Sequence, residues 1–296
     1  MRDSLRRQMR TAYLFLFPAL AALTIFFFLP VIAALLLSLT DFDIYSLANF
    51  SNARFVGLRN YFDLMRDPLF WKALTNTLYF VAVGGPLSVM TSLGAALLVN
   101  SKMVRYQGIF RSIYFLPVVT TLVAVSIVWR FLYHPRYGML NYLLSLVGIG
   151  QIDWLGDPAW AMPAIILLAV WKNFGYNMII FIAGLQNIPV YLYEAARLDG
   201  ASAFDQFRKI TVPMLAPTTF FVVVITMIGY FQLFAEPYVM TDGGPLQSTM
   251  SVVLMMYKTG FKWWSMGYSA AVAFALFAII AGATVIQMKL QQQSHE

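Results

Sequence analysis

Six apolar runs, at about residues 12–39, 73–99, 109–132, 160–185, 214–235 and 266–288, limit what this chain can become. At 1.5 Å of rise per residue, a helix of any of these lengths covers the ~30 Å of hydrocarbon in a bilayer. Lipid offers no partner to a backbone N–H or C=O, so only helices and closed barrels cross it. The runs are far longer than the ~10-residue alternating strands of a barrel, which excludes that class. Charged residues make up 11% of the chain and hydrophobic ones 60%, with a mean hydropathy of +0.70, where soluble chains carry about 25% charged residues. The expectation is an all-α membrane protein with six transmembrane helices, forming a single domain over residues 1–296. With no cysteine, disulfides, thiolate catalysis and Cys-based metal sites fall away, and the redox compartment is unreadable.

The basic residues orient the spans. Arg2, Arg6, Arg7 and Arg10 precede the first run, whose apolar core is longer than the 7–15 residues of a typical signal peptide and has no small-residue cleavage site. It reads as an uncleaved span with the N-terminus in the cytoplasm. Six crossings then put residues 187–213 and the C-terminus on the same side. Lys102, Arg105, Arg111, Arg197, Arg208, Lys209 and Lys289 fall there too, more densely than basic residues on the outer side, as the positive-inside rule requires. The net charge of +7 therefore reflects topology and not nucleic-acid binding. Outside lie 41–72, with a short surface helix at 57–66, then 133–159, with an interfacial helix in NYLLSLVGIG. The last outer segment, 236–265, carries Gly243-Gly244-Pro245 and the belt aromatics Tyr257, Phe261, Trp263 and Trp264. Trp129-Arg130 reads as a further interfacial anchor.

The missing chemistry is equally informative. All thirteen acidic residues fall outside the spans, with Glu236 at the edge of one. Ion-coupled carriers generally need a carboxylate within the membrane. The phosphate-cradling G-x-x-x-x-G-K-[ST] is absent, as are H-E-x-x-H and G-x-S-x-G. His134 and His295 have no partners at metal-ligand spacing. No catalytic residue, no metal site and no enzyme activity are expected, so the driving energy must come from another polypeptide.

Residues 187–217, NIPVYLYEAARLDGASAFDQFRKITVPMLAP, form the longest polar break in the second half. Pro189 suits a helix start, and Asp199-Gly200 supplies the positive φ of a helix end. Ser202 and Asp205 form a capping box that restarts a helix through Ile210. Pro213 and Pro217 are expected to bracket the next span, since proline resists continuing a preceding helix.

Glu194-Ala195-Ala196, then Gly200 after a three-residue gap, then Ile210, Val212 and Pro213 resemble the EAA loop of permease subunits of binding-protein-dependent ABC importers. FVGLRNYF, DPLFWKALTNTLYF, residues 186–189 and TDGGPLQSTMS are similar to the maltose-permease-like sugar branch, and the resemblance runs from about residue 14 to 288. It implies the type I ABC importer permease fold in a bacterial or archaeal cytoplasmic membrane, importing a di- or oligosaccharide by alternating access. It also implies a second homologous permease, an external solute-binding protein and an ATPase dimer that holds the ATP and Mg, leaving no cofactor on this chain. In that family the short loop helix sits in a cleft on the ATPase, which makes Glu194, Ala195, Ala196 and Gly200 the coupling residues of residues 187–213. Phe204 and Phe207, three apart on one helix face, suit a hydrophobic slot.

The fourth span carries Trp171, Lys172, Asn173, Tyr176 and Asn177, and the fifth Thr226, Tyr230, Phe231 and Gln232. Hydroxyl and amide groups mixed with aromatic faces suit a neutral saccharide. By resemblance, Lys172, Asn173, Tyr176, Thr226, Gly229, Tyr230 and Leu233 match sugar-contact positions. Polar residues also bind helices to one another, so lining and packing are both open. Several positions that are usually asparagine in the family differ here, which leaves the sugar itself open. Lys172 stands apart: a mid-span ammonium costs about 2.5–3.5 kcal/mol on insertion scales, so it should face water, an acid or the substrate. An anionic substrate such as a glycerol phosphate is therefore the alternative.

Overall fold

The computed structural model describes residues 2–49, 52–101 and 104–293. Lys102 and His295 lie outside the described residues, as do the side chains of Arg2, Arg6, Arg7 and Arg10. The chain divides into two units, Met1–Asp67 with Met256–Ala278, and Pro68–Met255 with Ile279–Glu296.

In the first unit, α1 (Arg2–Leu23) runs through a π-helical turn at Thr24–Phe28 into α2 (Leu29–Ser38). Phe15, Phe26 and Leu29 are all more than half exposed on this apolar rod, as expected of a surface solvated by lipid tails. Asp43 caps α3 (Ile44–Ala48) by accepting from the N–H groups of Tyr45 and Ser46. The expected surface helix appears as α4 (Arg59–Arg66), where Asn60 donates to the carbonyls of Ser38 and Thr40, both at 2.8 Å. That amide satisfies carbonyls left open at the end of α2.

The second unit begins with α5 (Pro68–Tyr79), a π turn at Phe80–Gly84 and α6 (Gly85–Asn100). The expected span at 109–132 is bent: α7 (Gln107–Val119) and α8 (Leu122–Leu132) meet at 96°. Pro117 in the last turn of α7 and the extended Thr120 and Thr121 make the break. After α9 (Met139–Ser145) comes α10 (Pro158–Gln186), which lies against α6 and α7. Its fifteen buried residues make it the core of the unit. Gly175 lets α7 seat against it, since a Cβ there would fall 2.0 Å from the Tyr114 carbonyl oxygen.

Beyond α11 (Val190–Leu198) and α12 (Ala203–Gln206), a π turn at Phe207–Thr211 feeds α13 (Val212–Phe231), which packs on α10. The expected stop at Ile210 is absent: the helix runs on through Pro213 and Pro217. The widened π turn absorbs the missing proline N–H at Pro213 without breaking the chain direction. The remaining helices are α14 (Ala235–Met240), α15 (Val252–Tyr257) and α16 (Met266–Gln293). Among the described residues, five helices are long and apolar enough to cross a bilayer, or six when α7 and α8 count as one bent crossing.

One assignment changes, and one loop gains a partner that its sequence did not show. Trp129 is not an interfacial anchor: it is buried against Tyr133 and Trp171, with ring centroids 5.3 and 5.4 Å away. The Tyr133 hydroxyl donates to the Ala164 carbonyl at 2.7 Å, and burial pushes its pKa above the ordinary tyrosine value. TDGGPLQSTMS meets the Asn76-Thr77 pair of α5, although about 170 residues separate them in sequence. Asn76 donates to the carbonyls of Gln247 and Met250 at 2.7 and 2.9 Å, and Thr77 accepts from the Val252 N–H at 3.1 Å.

Candidate functional site

Two features share the same pair of helices. The first is the loop between α10 and α13. α11 closes in a Schellman turn, where Gly200 at φ +77° lets the Ala201 N–H reach the Ala196 carbonyl at 2.8 Å and the Gly200 N–H reach Arg197 at 3.1 Å. Ser202 then caps α12, accepting from the Asp205 N–H at 3.1 Å, while its hydroxyl donates to the Asp205 carboxylate. Lys209 pairs with Asp205 at 3.2 Å, one turn on.

The loop has a fastened side and an open side. Ile188, Leu192, Tyr193 and Ile210 pack onto the core formed by Phe181, Leu185 and Leu215, and the Tyr193 hydroxyl lies 2.9 Å from Thr211 Oγ1. Glu194 and Ala195 are exposed, Ala196 is half-buried, and Tyr191, Leu198 and Phe204 stand out at 66%, 90% and 69% exposure. Phe207 is only half-buried. Leu198 is as exposed as a side chain becomes, on a helix rooted in an apolar core. Such a surface, with small residues beside apolar knobs, is shaped to be covered by another protein.

The second feature is a cavity of about 410 Å³ between α10 and α13, closed by Phe80 and Leu122. Asn173, Tyr176, Thr226, Gly229, Tyr230 and Leu233 line it, so six of the seven sequence-named positions stand around one space. Thr226 and Tyr230 lie one helical turn apart and face α10 together. Asn177, also on the wall, donates to Thr226 Oγ1 at 2.9 Å, so this pair both lines the cavity and ties the two helices. The Tyr230 ring packs on Phe80 with centroids 4.8 Å apart, and its buried hydroxyl lies beside the side chains of Ser88 and Asn173.

Lys172 is the exception. Its ammonium donates to the carbonyls of Pro117 and Val118 at 2.8 and 3.1 Å, where α7 breaks off, and it does not line the cavity. The reason is the break itself. A helix ending inside a membrane leaves carbonyls unpaired and the negative end of its dipole exposed, and a cation satisfies both. Thr120 adds its hydroxyl to the Pro117 carbonyl at 2.6 Å.

Glu236, which the sequence places at the edge of a span, is 7% exposed and lines the cavity. The signal available in the sequence was its place six residues after Tyr230, at the mouth of the polar face. His134 stacks on Tyr137 at 3.4 Å, and among the described residues no cluster of His, Asp and Glu could hold a metal ion.

Residues 88–293 match the family described as binding-protein-dependent transport system inner membrane component. The chain is 37% identical over 287 residues to the probable ABC transporter permease protein YurN of Bacillus subtilis (strain 168), covering 96% of this chain and 97% of that one. It is also 37% identical over 291 residues to the lactose transport system permease protein LacF of Rhizobium radiobacter, covering 97% and 96%. Among solved structures, a chain of a bacterial alginate ABC transporter, crystallised with an alginate pentasaccharide-bound periplasmic protein, superposes with a TM-score of 0.84. That match covers 99% of this chain and 97% of the other at 20% identity, a likeness of fold alone. The chain belongs to the inner membrane components of binding-protein-dependent ABC transport systems, a family of transport permeases and not of enzymes.

Proposed function

We propose that this chain is one pore subunit of an ATP-driven importer for di- or oligosaccharides, worked by alternating access. One observation carries the reading: the helices that supply the cavity walls, α10 and α13, are the two that flank the loop with the open apolar face. At 1.5 Å per residue, Asn177 stands about 15 Å along α10 from Asn187, within a continuous helix. A push on α11 therefore arrives at the cavity through rigid elements.

The push comes from an ATPase dimer that binds ATP and Mg and closes on nucleotide, gripping Glu194, Ala195, Ala196, Leu198 and Phe204. A carboxylate at position 194 suits an arginine of that partner. A second homologous permease completes the pore, and an external solute-binding protein delivers sugar to the outer loops. The loop and both termini face the cytoplasm. Amide, hydroxyl and aromatic groups on one wall support a sugar, and so does the name of the lactose-system relative. The glycerol-phosphate alternative rested on Lys172, whose ammonium is turned to α7.

Co-expression with candidate ATPase and second-permease subunits from the same source, followed by affinity purification through this chain, tests the assembly. The expected outcome is a complex that hydrolyses ATP and, in vesicles with the cognate binding protein, accumulates labelled saccharide from a panel of neutral mono-, di- and trisaccharides. If the purified chain, reconstituted alone, pumps solute uphill, the reading is wrong.

A further inference from the structure

We propose that the C-terminal end of α8 holds an anionic phospholipid, its phosphate bound by Arg130, His134 and Tyr137 and its acyl chain laid along Ile127 and Phe131. The site stands apart from the cavity between α10 and α13 and is independent of the solute transported.

Ile127, Arg130, Phe131 and His134 follow the i, i+3, i+4, i+7 spacing of one helix face, carried past the end of α8 by the helical turn at Tyr133. With Tyr137 they line a cavity of about 290 Å³ that contains no acidic residue. The Arg130 side chain is exposed, and its guanidinium spends one N–H on the Val239 carbonyl at 3.4 Å. The His134 ring lies flat on Tyr137, with centroids 3.4 Å apart, and its Nδ1 accepts from the Arg136 N–H at 3.2 Å. The ring proton therefore sits on Nε2, and that nitrogen donates. A guanidinium, an imidazole N–H and a phenol share one small space, a donor set matched to phosphate oxygens.

The position of the site selects a lipid. Tyr133, adjoining His134, is pinned to the Ala164 carbonyl, about 9 Å along α10 from Pro158. Its ring meets Trp154, which meets Trp160 in turn, and tryptophans gathered at the end of a span mark the level of the headgroups. The polar groups thus lie at the headgroup level, at the end of α10 remote from residues 187–213. Ile127 and Phe131 are exposed one turn apart and lead from these groups back along α8 toward the membrane interior. An amphiphile with a phosphate above and a chain below fits both halves, whereas a free phosphate or an acidic protein loop fills only the upper one. A cation in a cavity without an acid favours a headgroup of net negative charge over a zwitterionic one.

The test uses the full chain purified in detergent with whatever subunits accompany it, so its outcome does not depend on the sugar-import reading. Phosphatidylglycerol and phosphatidylcholine with the same acyl chains are added in equal amounts, and bound lipid is counted by native mass spectrometry. The wild type is expected to retain phosphatidylglycerol preferentially, and Arg130→Gln to cut that preference by about fivefold, the effect of one cation at a lipid surface. Arg136, also exposed, does not line the cavity, so Arg136→Gln should leave the preference unchanged. Inorganic phosphate in excess should not displace the lipid, because it lacks a chain. Benzoylphenylalanine in place of the exposed Phe131, irradiated in the membrane, should crosslink to phospholipid. The assignment is overturned if the wild type binds both lipids alike, if Arg130→Gln keeps the full preference, or if Arg136→Gln loses as much of it. Displacement by phosphate, or capture of protein by the photoprobe, overturns it equally. The wild-type preference and the photoprobe decide the matter even where an arginine variant does not fold.

Discussion

Gly200 shows how little of a residue's role need lie in its contacts. Nothing stands within 4 Å of where its Cβ would be, so space does not forbid a side chain. Conformation does: φ is +77°, and the Schellman turn joining α11 to α12 depends on it. An L-residue in this region pays about 1–2 kcal/mol, more when β-branched and less for asparagine. Gly200→Val should leave the protein in the membrane and the ATPase hydrolysing, but sugar moved per ATP should fall by about tenfold or more, the equivalent of the ~1.4 kcal/mol strain spent on the turn. Gly200→Asn should retain most of the coupling. Parallel assays of hydrolysis and uptake in one vesicle preparation read both, and wild-type transport by the valine variant would remove Gly200 from the coupling role.

At the scale of elements, the broken α7–α8 crossing and the lysine that closes it belong together. Two effects of similar size oppose each other in Lys172→Met. Removing a mid-span ammonium relieves about 2.5–3.5 kcal/mol of insertion cost. Leaving the Val118 carbonyl without its donor, while Pro117 keeps the Thr120 hydroxyl, costs about 1–3 kcal/mol in a buried site. The net change in melting temperature should therefore be small, while amide hydrogen exchange rises at residues 120–124, just beyond the break. Lys172→Arg should restore protection because a guanidinium also reaches carbonyls. Unchanged exchange in the methionine variant would mean that Pro117 and Thr120 hold the break by themselves. The α11–α12 element differs: Leu192 and Tyr193, half-buried, fasten one side of α11 to the core shared by α10 and α13, which suits the lever role proposed for it.

For the whole molecule, the absence of cysteine makes topology directly measurable. Ser145→Cys on α9 and Arg208→Cys beside α12, both exposed positions, should behave oppositely toward a membrane-impermeant maleimide. The first should label in intact cells and the second only after permeabilisation; the reverse pattern would put the coupling loop outside and end the proposed mechanism. Helix positions were legible in the sequence because hydrocarbon leaves the backbone no alternative, and the loop was legible because its turn, cap and small residues sit within a few positions of one another. Asn173, Tyr176, Thr226 and Tyr230 could be named because polar and aromatic groups inside apolar spans stand out, and because the family resemblance marks those positions. Their convergence on one cavity, the burial of Glu236 within it, the bend that claims Lys172 and the pairing of Asn76 with a loop about 170 residues away were not legible. Those depend on which faces meet, and an apolar helix carries almost no directional signal when neighbouring side chains are as oily as the lipid around it. Local chemistry decided the elements; packing between distant segments decided that Glu236 lines the cavity and that Lys172 is consumed in holding a helix end.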